Sequence, residues 1–106
     1  MKLGFIGAGN MAGAILRGVI DKGFLPAQEI MVFDVNPAQG ERLAAQYPIR
    51  IAQSQDELVT ACDCILLAVK PVYLRAVLEQ ARPLAKGKDF ISIAAGWTFA
   101  MLTEVL

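Results

Sequence analysis

The sequence predicts an α/β fold with a doubly wound parallel sheet, and three observations carry that expectation. Short apolar runs alternate with stretches of helical periodicity five times along 106 residues, the runs are rich in strand formers, and a glycine-rich turn links the first run to the first helical stretch. Strict alternation of this kind calls for parallel strands joined by right-handed crossovers, with helices covering both faces of the sheet.

Lys2 to Gly7 reads as a buried strand closed by glycines. From Asn10 the period changes: Met11, Ile15 and Val19 recur four apart, Leu16 and Ile20 form a second stripe, and Lys22 with Gly23 makes the stop. Glu29 to Asp34 is the second strand. Asn36 as N-cap and Pro37 at the first helical position then open a helix with Leu43 and Tyr47 on one face. Ile49 to Ala52 is a short third strand. Ser54 and Glu57 form a capping box for a helix bearing Leu58, Ala61 and Cys62. Cys64 to Val69 is a fourth strand, apolar on both faces like the others, and Pro71 starts a helix with Leu74, Val77, Leu78 and Ala81 at helical spacing before Pro83 ends it. After the turn at Lys86 and Gly87, Phe90 to Ala94 is the fifth strand, and Thr98 caps a last helix carrying Phe99, Leu102 and Leu106. Five strands alternating with helices make a Rossmann-like sheet. The last helix stops at Leu106 with no glycine, basic residue or polar tail, which reads as a truncated chain lacking a sixth strand.

Composition limits the chemistry. With 56% apolar residues, 19% charged and ten basic side chains against ten acidic, the chain is a packed globular domain with no basic field for nucleic acid or anionic lipid. It contains no histidine and only two cysteines, Cys62 and Cys64, too few for a structural zinc site and without the base that a cysteine nucleophile uses. Those cysteines read as small core residues of a reduced, cytoplasmic protein. The longest apolar run, Cys64 to Val69, is far too short for a membrane span, and nothing marks export.

The feature with most chemical content is Gly7-Ala8-Gly9-Asn10-Met11-Ala12, between strand and helix, with Asp34 lying 22 residues past Ala12 at the end of the second strand. Gly7 permits a tight turn, Gly9 lets backbone approach a pyrophosphate, and small Ala12 lets the helix lie close on the strand. The helix start offers unpaired N–H groups and a positive dipole end to the phosphates, so the motif predicts dinucleotide binding. Asn10 reads as the helix N-cap and as a side chain at the cofactor, two roles that do not exclude each other, and Met11 is core or pocket wall. Asp34 can accept hydrogen bonds in the turn before Asn36 and Pro37, but its spacing suits it to accept from the adenosine ribose hydroxyls and to repel a 2′-phosphate, and Val35, Asn36 and Pro37 supply no guanidinium to hold one, which favours NADH over NADPH. Ala68-Val69-Lys70-Pro71 and Ala94-Ala95-Gly96 follow the fourth and fifth strands, at the carboxyl ends where ligands bind in such sheets. Lys70 has the length to reach a ribose or a substrate.

Taken in order, Gly4-Phe5-Ile6-Gly7-Ala8-Gly9-Asn10-Met11-Ala12, Leu67-Ala68-Val69-Lys70-Pro71 and Ile91-Ser92-Ile93-Ala94-Ala95-Gly96 resemble the N-terminal cofactor domain of the pyrroline-5-carboxylate reductases. The resemblance runs the length of the chain. It implies hydride transfer from NAD(P)H to the imine carbon of 1-pyrroline-5-carboxylate, giving L-proline, with Ile6 to Met11, Ala68 to Pro71 and Ala94 to Gly96 lining the cofactor. The family continues into a helical C-terminal domain that dimerises and supplies most of the substrate site. The resemblance therefore implies that residues 1–106 are the dinucleotide-binding domain of a larger homo-oligomer and lack a complete active site. Many family members favour NADPH and carry small polar residues where this chain has Asp34. Two other readings stay open: a related β-hydroxyacid or prephenate dehydrogenase, and a nucleotide-sensing module without catalysis. No residue reads as a catalytic proton donor or a metal ligand.

Overall fold

A computed structural model of the chain describes residues 1–93. Five parallel strands lie in the order β3-β2-β1-β4-β5: β1 Leu3–Ile6, β2 Ile30–Phe33, β3 Arg50–Ile51, β4 Cys64–Leu67 and β5 Asp89–Ser92. The helices are α1 Asn10–Asp21, α2 Pro37–Gln46, α3 Gln55–Ala61 and α4 Pro71–Ala81. The fold class is the one expected. The chain order reverses between β1 and β4, so the ends of those two strands splay their connections to opposite sides and open a crevice.

Alternation along the strands builds two cores. Leu3 and Phe5 of β1 with Ile30 and Val32 of β2 face α1 and α2, where they pack with Ala12, Leu16 and Leu43. Ile6, Ile65 and Leu67 point the other way, into Leu58, Val59, Leu74 and Leu78 of α3 and α4. Gly4 makes this second layer close. A Cβ there would stand 2.7 Å from Leu58 Cδ2 and 2.9 Å from Cys62 Sγ, so any side chain would force these two core residues to shift.

Local signals account for most boundaries. Asn36 Oδ1 accepts from the N–H of Ala38 with Pro37 following, and Ser54 Oγ accepts from the N–H of Glu57 at 3.1 Å. The reciprocal arm of the capping box reaches one residue further than expected, Glu57 Oε1 accepting from the N–H of Gln53. Gly23, at φ +71°, ends α1 while the N–H groups of Gly23 and Phe24 return to Ile20 and Val19. A 3-10 turn at Arg82–Leu84 carries Pro83 past the end of α4.

Several expectations need correction. Only β1 is buried on both faces: β2 and β4 alternate buried with half-buried positions, β5 alternates exposed with half-buried, and both residues of β3 are exposed. A 3-10 turn at Ala27–Glu29 delays β2 to Ile30. The buried residues of α1 are Ala12, Gly13 and Leu16, so of the two predicted stripes Leu16 is buried as expected, whereas Ile15, Val19 and Ile20 are half-buried and Met11 is 56% exposed. Of the two cysteines, Cys62 is buried in the α3/α4 core while Cys64 is only half-buried on the opposite face; both are free thiols. Ala94, Ala95, Gly96 and the helix expected after Thr98 lie outside the described residues.

Candidate functional site

At the carboxyl end of β1 the backbone turns through Gly7 at φ +100°. A Cβ on Gly7 would come within 2.5 Å of the carbonyl oxygen of Ala68, just past β4, so glycine is required both by conformation and by the approach of the two strand ends. Gly9 is different. A Cβ there meets nothing within 4 Å, which leaves open space beside the loop and the first turn of α1.

Gly9, not Asn10, is the N-cap of α1, and no side chain caps the helix. Asn10 is already helical, and its Oδ1 is instead reached by Arg42 at 3.4 Å. The opening amides of α1 therefore remain available to an anion, which in this position meets N–H donors and the positive end of the helix dipole.

Asp34 is the organising side chain. Its Oδ2 accepts from the N–H of Ala8 at 2.9 Å and its Oδ1 accepts from the N–H of Asn36 at 2.8 Å. Besides closing the turn into α2, as a residue before Asn36 and Pro37 can, it ties the end of β2 to the glycine-rich loop of β1. The Gly7 N–H, donating to the Phe33 carbonyl at 2.7 Å, adds a second tie between the same segments.

A cavity of about 440 Å³ opens at this crevice. Ile6 and Gly7 of the first strand and its turn, Phe33, Asp34 and Val35 at the end of β2, and Val69, Tyr73, Ala76 and Val77 around α4 form most of its wall. The walls are chiefly apolar, with the Asp34 carboxylate as the charged group. Gln55 and Gln80 complete it, and the buried Gln55 side chain donates from Nε2 to the Val77 carbonyl at 2.8 Å. The shape and chemistry fit a flat, mostly apolar ring system bearing a hydroxylated sugar.

Among the sequence-designated positions, Ile6, Gly7, Asp34 and Val69 line this cavity, and Ala8, Gly9, Asn10 and Met11 form the loop and helix start beside it. Ala68 donates its N–H to the Ile6 carbonyl, holding the β4 loop against β1. Lys70 is exposed and occupies the N-cap of α4, ahead of Pro71 at the first helical position. Sequence reading overlooked Gln55, Tyr73 and Arg42. For Gln55 a signal existed in its position directly after the Ser54 cap, where a helix start points toward the sheet end; for Arg42 there was none, since its contacts to the glycine-rich loop and the start of α1 cross 32 and 34 residues.

The thiols take no part. Burial pushes the Cys62 thiol up to about 11 and raises that of Cys64, so both stay protonated at neutral pH. Among the described residues no group of three potential ligands could hold a metal ion, and no helix is long and apolar enough to cross a membrane.

Residues 2–96 match the model of the family described as NADP oxidoreductase coenzyme F420-dependent. The chain belongs to this family. Within it, the chain is 38% identical to the pyrroline-5-carboxylate reductase of Escherichia coli over 99% of its own length, and it spans 39% of that relative. Two solved structures are similar: the Plasmodium falciparum pyrroline carboxylate reductase with NADP bound, at TM-score 0.86 and 28% identity, and that of Coxiella burnetii, at 0.90 and 27%. Each is matched over 99% of this chain, and the chain spans 37% and 39% of them respectively. The family assignment agrees with an oxidoreductase built on a dinucleotide-binding sheet.

Proposed function

We propose that this chain is the cofactor-binding half of an NAD(P)H-dependent pyrroline-5-carboxylate reductase. The observation that carries the reading is the junction of the open Gly9 cradle, the uncapped start of α1 and the Asp34 carboxylate around one apolar cavity. In this reading the pyrophosphate lies against Gly9 to Met11, the adenosine ribose hydroxyls donate to Asp34, and the adenine enters between Val35 and the Val69 to Val77 wall. Ala68, Lys70 and Pro71, with Ala94, Ala95 and Gly96, belong to the segments that continue along the cofactor toward its nicotinamide. The similarity to named reductases in both sequence and fold supports the substrate class.

When bound, the cofactor supplies a hydride to the imine carbon of a small cyclic substrate. The residues of this chain bind and orient it, and their catalytic contribution is position and electrostatics. Asp34 gives NADH an advantage, because a 2′-phosphate would meet a carboxylate already fixed by two N–H donors. The chain spans 39% of its E. coli relative, so residues 1–106 are proposed as the dinucleotide-binding domain alone, with a further domain supplying most of the imine site and the homo-oligomer contacts. Free cysteines and the absence of a membrane-spanning helix among the described residues support cytoplasmic residence, and a net charge of zero argues against nucleic acid as a partner.

The decisive experiment is a spectrophotometric assay of the full-length protein with 1-pyrroline-5-carboxylate and each reduced cofactor. Proline formation is the expected result; binding of cofactor with no oxidation of it in the presence of the imine overturns the reading.

A further inference from the structure

Arg42 stands on α2 with its guanidinium across the glycine-rich loop. Its Nη1 donates to Asn10 Oδ1 at 3.4 Å, and its Nη2 donates to the Ala8 carbonyl at 3.5 Å and to Gln39 Oε1 at 3.1 Å. Those acceptors are all neutral, and two of the three contacts are at the limit of hydrogen-bond length. A guanidinium has five donors in a planar fork that matches phosphate oxygens, so this arrangement leaves much of its capacity unused. Its position gives the unused capacity a meaning. Ala8 offers its N–H to Asp34 and its carbonyl to Arg42, so one residue of backbone separates the carboxylate suited to a ribose 2′-hydroxyl from an exposed cation.

Resting on the dinucleotide reading above, we propose that Arg42 is a specificity-determining residue that receives the 2′-phosphate of NADP(H) at the rim of the Asp34 site. Asp34 and Arg42 then act on the same cofactor oxygen with opposite sign: the carboxylate favours the free hydroxyl, and the guanidinium keeps the phosphorylated form within reach. The long contacts to Asn10 and Ala8 are weak enough to be exchanged for charge-assisted bonds to a phosphate without disturbing Gly9 or the start of α1. The two side chains set the cofactor ratio between them.

The test uses the chain itself and needs no turnover. Calorimetric titration with 2′,5′-ADP and 5′-AMP, then with NADPH and NADH, is run on wild type, Arg42→Met and Arg42→Lys. Arg42→Met is expected to weaken the two 2′-phosphorylated ligands at least tenfold while changing the other two less than twofold, with Arg42→Lys in between. The wild-type affinity for NADPH is also expected to fall more steeply with added salt than that for NADH. Equal losses for both members of each pair identify Arg42 as a clamp on the loop and overturn the proposal, as does an unchanged affinity for the phosphorylated ligands. If wild type binds none of the four, the dinucleotide reading itself fails, and the assignment of Arg42 with it.

Discussion

The carboxylate of Asp34 receives the backbone N–H of Ala8 at 2.9 Å, joining two strand ends that lie 26 residues apart in sequence. One side chain thus holds the shape of the glycine-rich loop and faces the cavity beside it. Replacing it by serine removes the charge that opposes a 2′-phosphate and keeps a short polar group. In Asp34→Ser the proposed preference for NADH over NADPH is expected to narrow or invert, a change of about 1 to 2 kcal/mol for a charged hydrogen-bond partner. Competitive titration with both reduced cofactors measures it; an unchanged ratio removes Asp34 from the ribose site.

Two glycines of the same loop are expected to fail in opposite ways. Gly9→Val adds a side chain where nothing in the protein stands within 4 Å, so the fold should persist while cofactor binding is lost. Gly7→Ala forces a Cβ to 2.5 Å from the Ala68 oxygen at φ +100°, so it should lower stability by about 2 kcal/mol or more. Denaturant melts paired with cofactor titrations separate the two outcomes, and a Gly9→Val protein that is folded and binds as wild type refutes the cradle.

Lys88, just before β5, donates from Nζ to the carbonyls of Thr60 at 3.0 Å and Cys62 at 2.8 Å, filling acceptors at the end of α3. Lys88→Met retains the stem and removes these charge-assisted bonds. A loss of about 1 to 2 kcal/mol in the urea midpoint analysis is expected, with cofactor affinity unchanged.

The raised Cys62 thiol sets a pH window. The unfolded thiol ionises near 9.0, whereas burial makes the folded one hold its proton to about 11. The native state therefore binds more protons than the unfolded state between those values, and the contribution is intact below pH 9 and lost as pH rises toward 11. Thermal midpoints recorded across that window should fall, with a shallower slope in Cys62→Ala. A native Cys62 that is alkylated rapidly at pH 8 contradicts its burial.

Residues 1–106 alone are expected to bind dinucleotide without reducing 1-pyrroline-5-carboxylate, since the chain spans 39% of its E. coli relative. Proline formation by this chain at the rate of the full-length enzyme is the outcome that sinks the domain reading.

The sequence by itself determined the alternation of strands and helices, the caps at Asn36 and Ser54, the stop at Gly23 and the pairing of a glycine-rich turn with Asp34. These are local matters: backbone conformation, capping hydrogen bonds and side-chain period act within a few residues and leave their mark on neighbouring letters. Tertiary packing decided the rest. Whether Asn10 or Gly9 caps α1, and which of its two apolar stripes is buried, depends on how α1 rolls against Leu43 and the sheet, which buries Leu16 and leaves Met11 largely in solvent. Burial of the edge strands β3 and β5, whose positions are exposed or half-buried, was likewise set by packing rather than by their apolar letters. Gln55 and Arg42 entered the site through contacts to Val77, Ala8 and Asn10 that span 22 to 34 residues, and a long side chain's destination across such a span is set by the register of whole helices on the sheet rather than by the residues beside it.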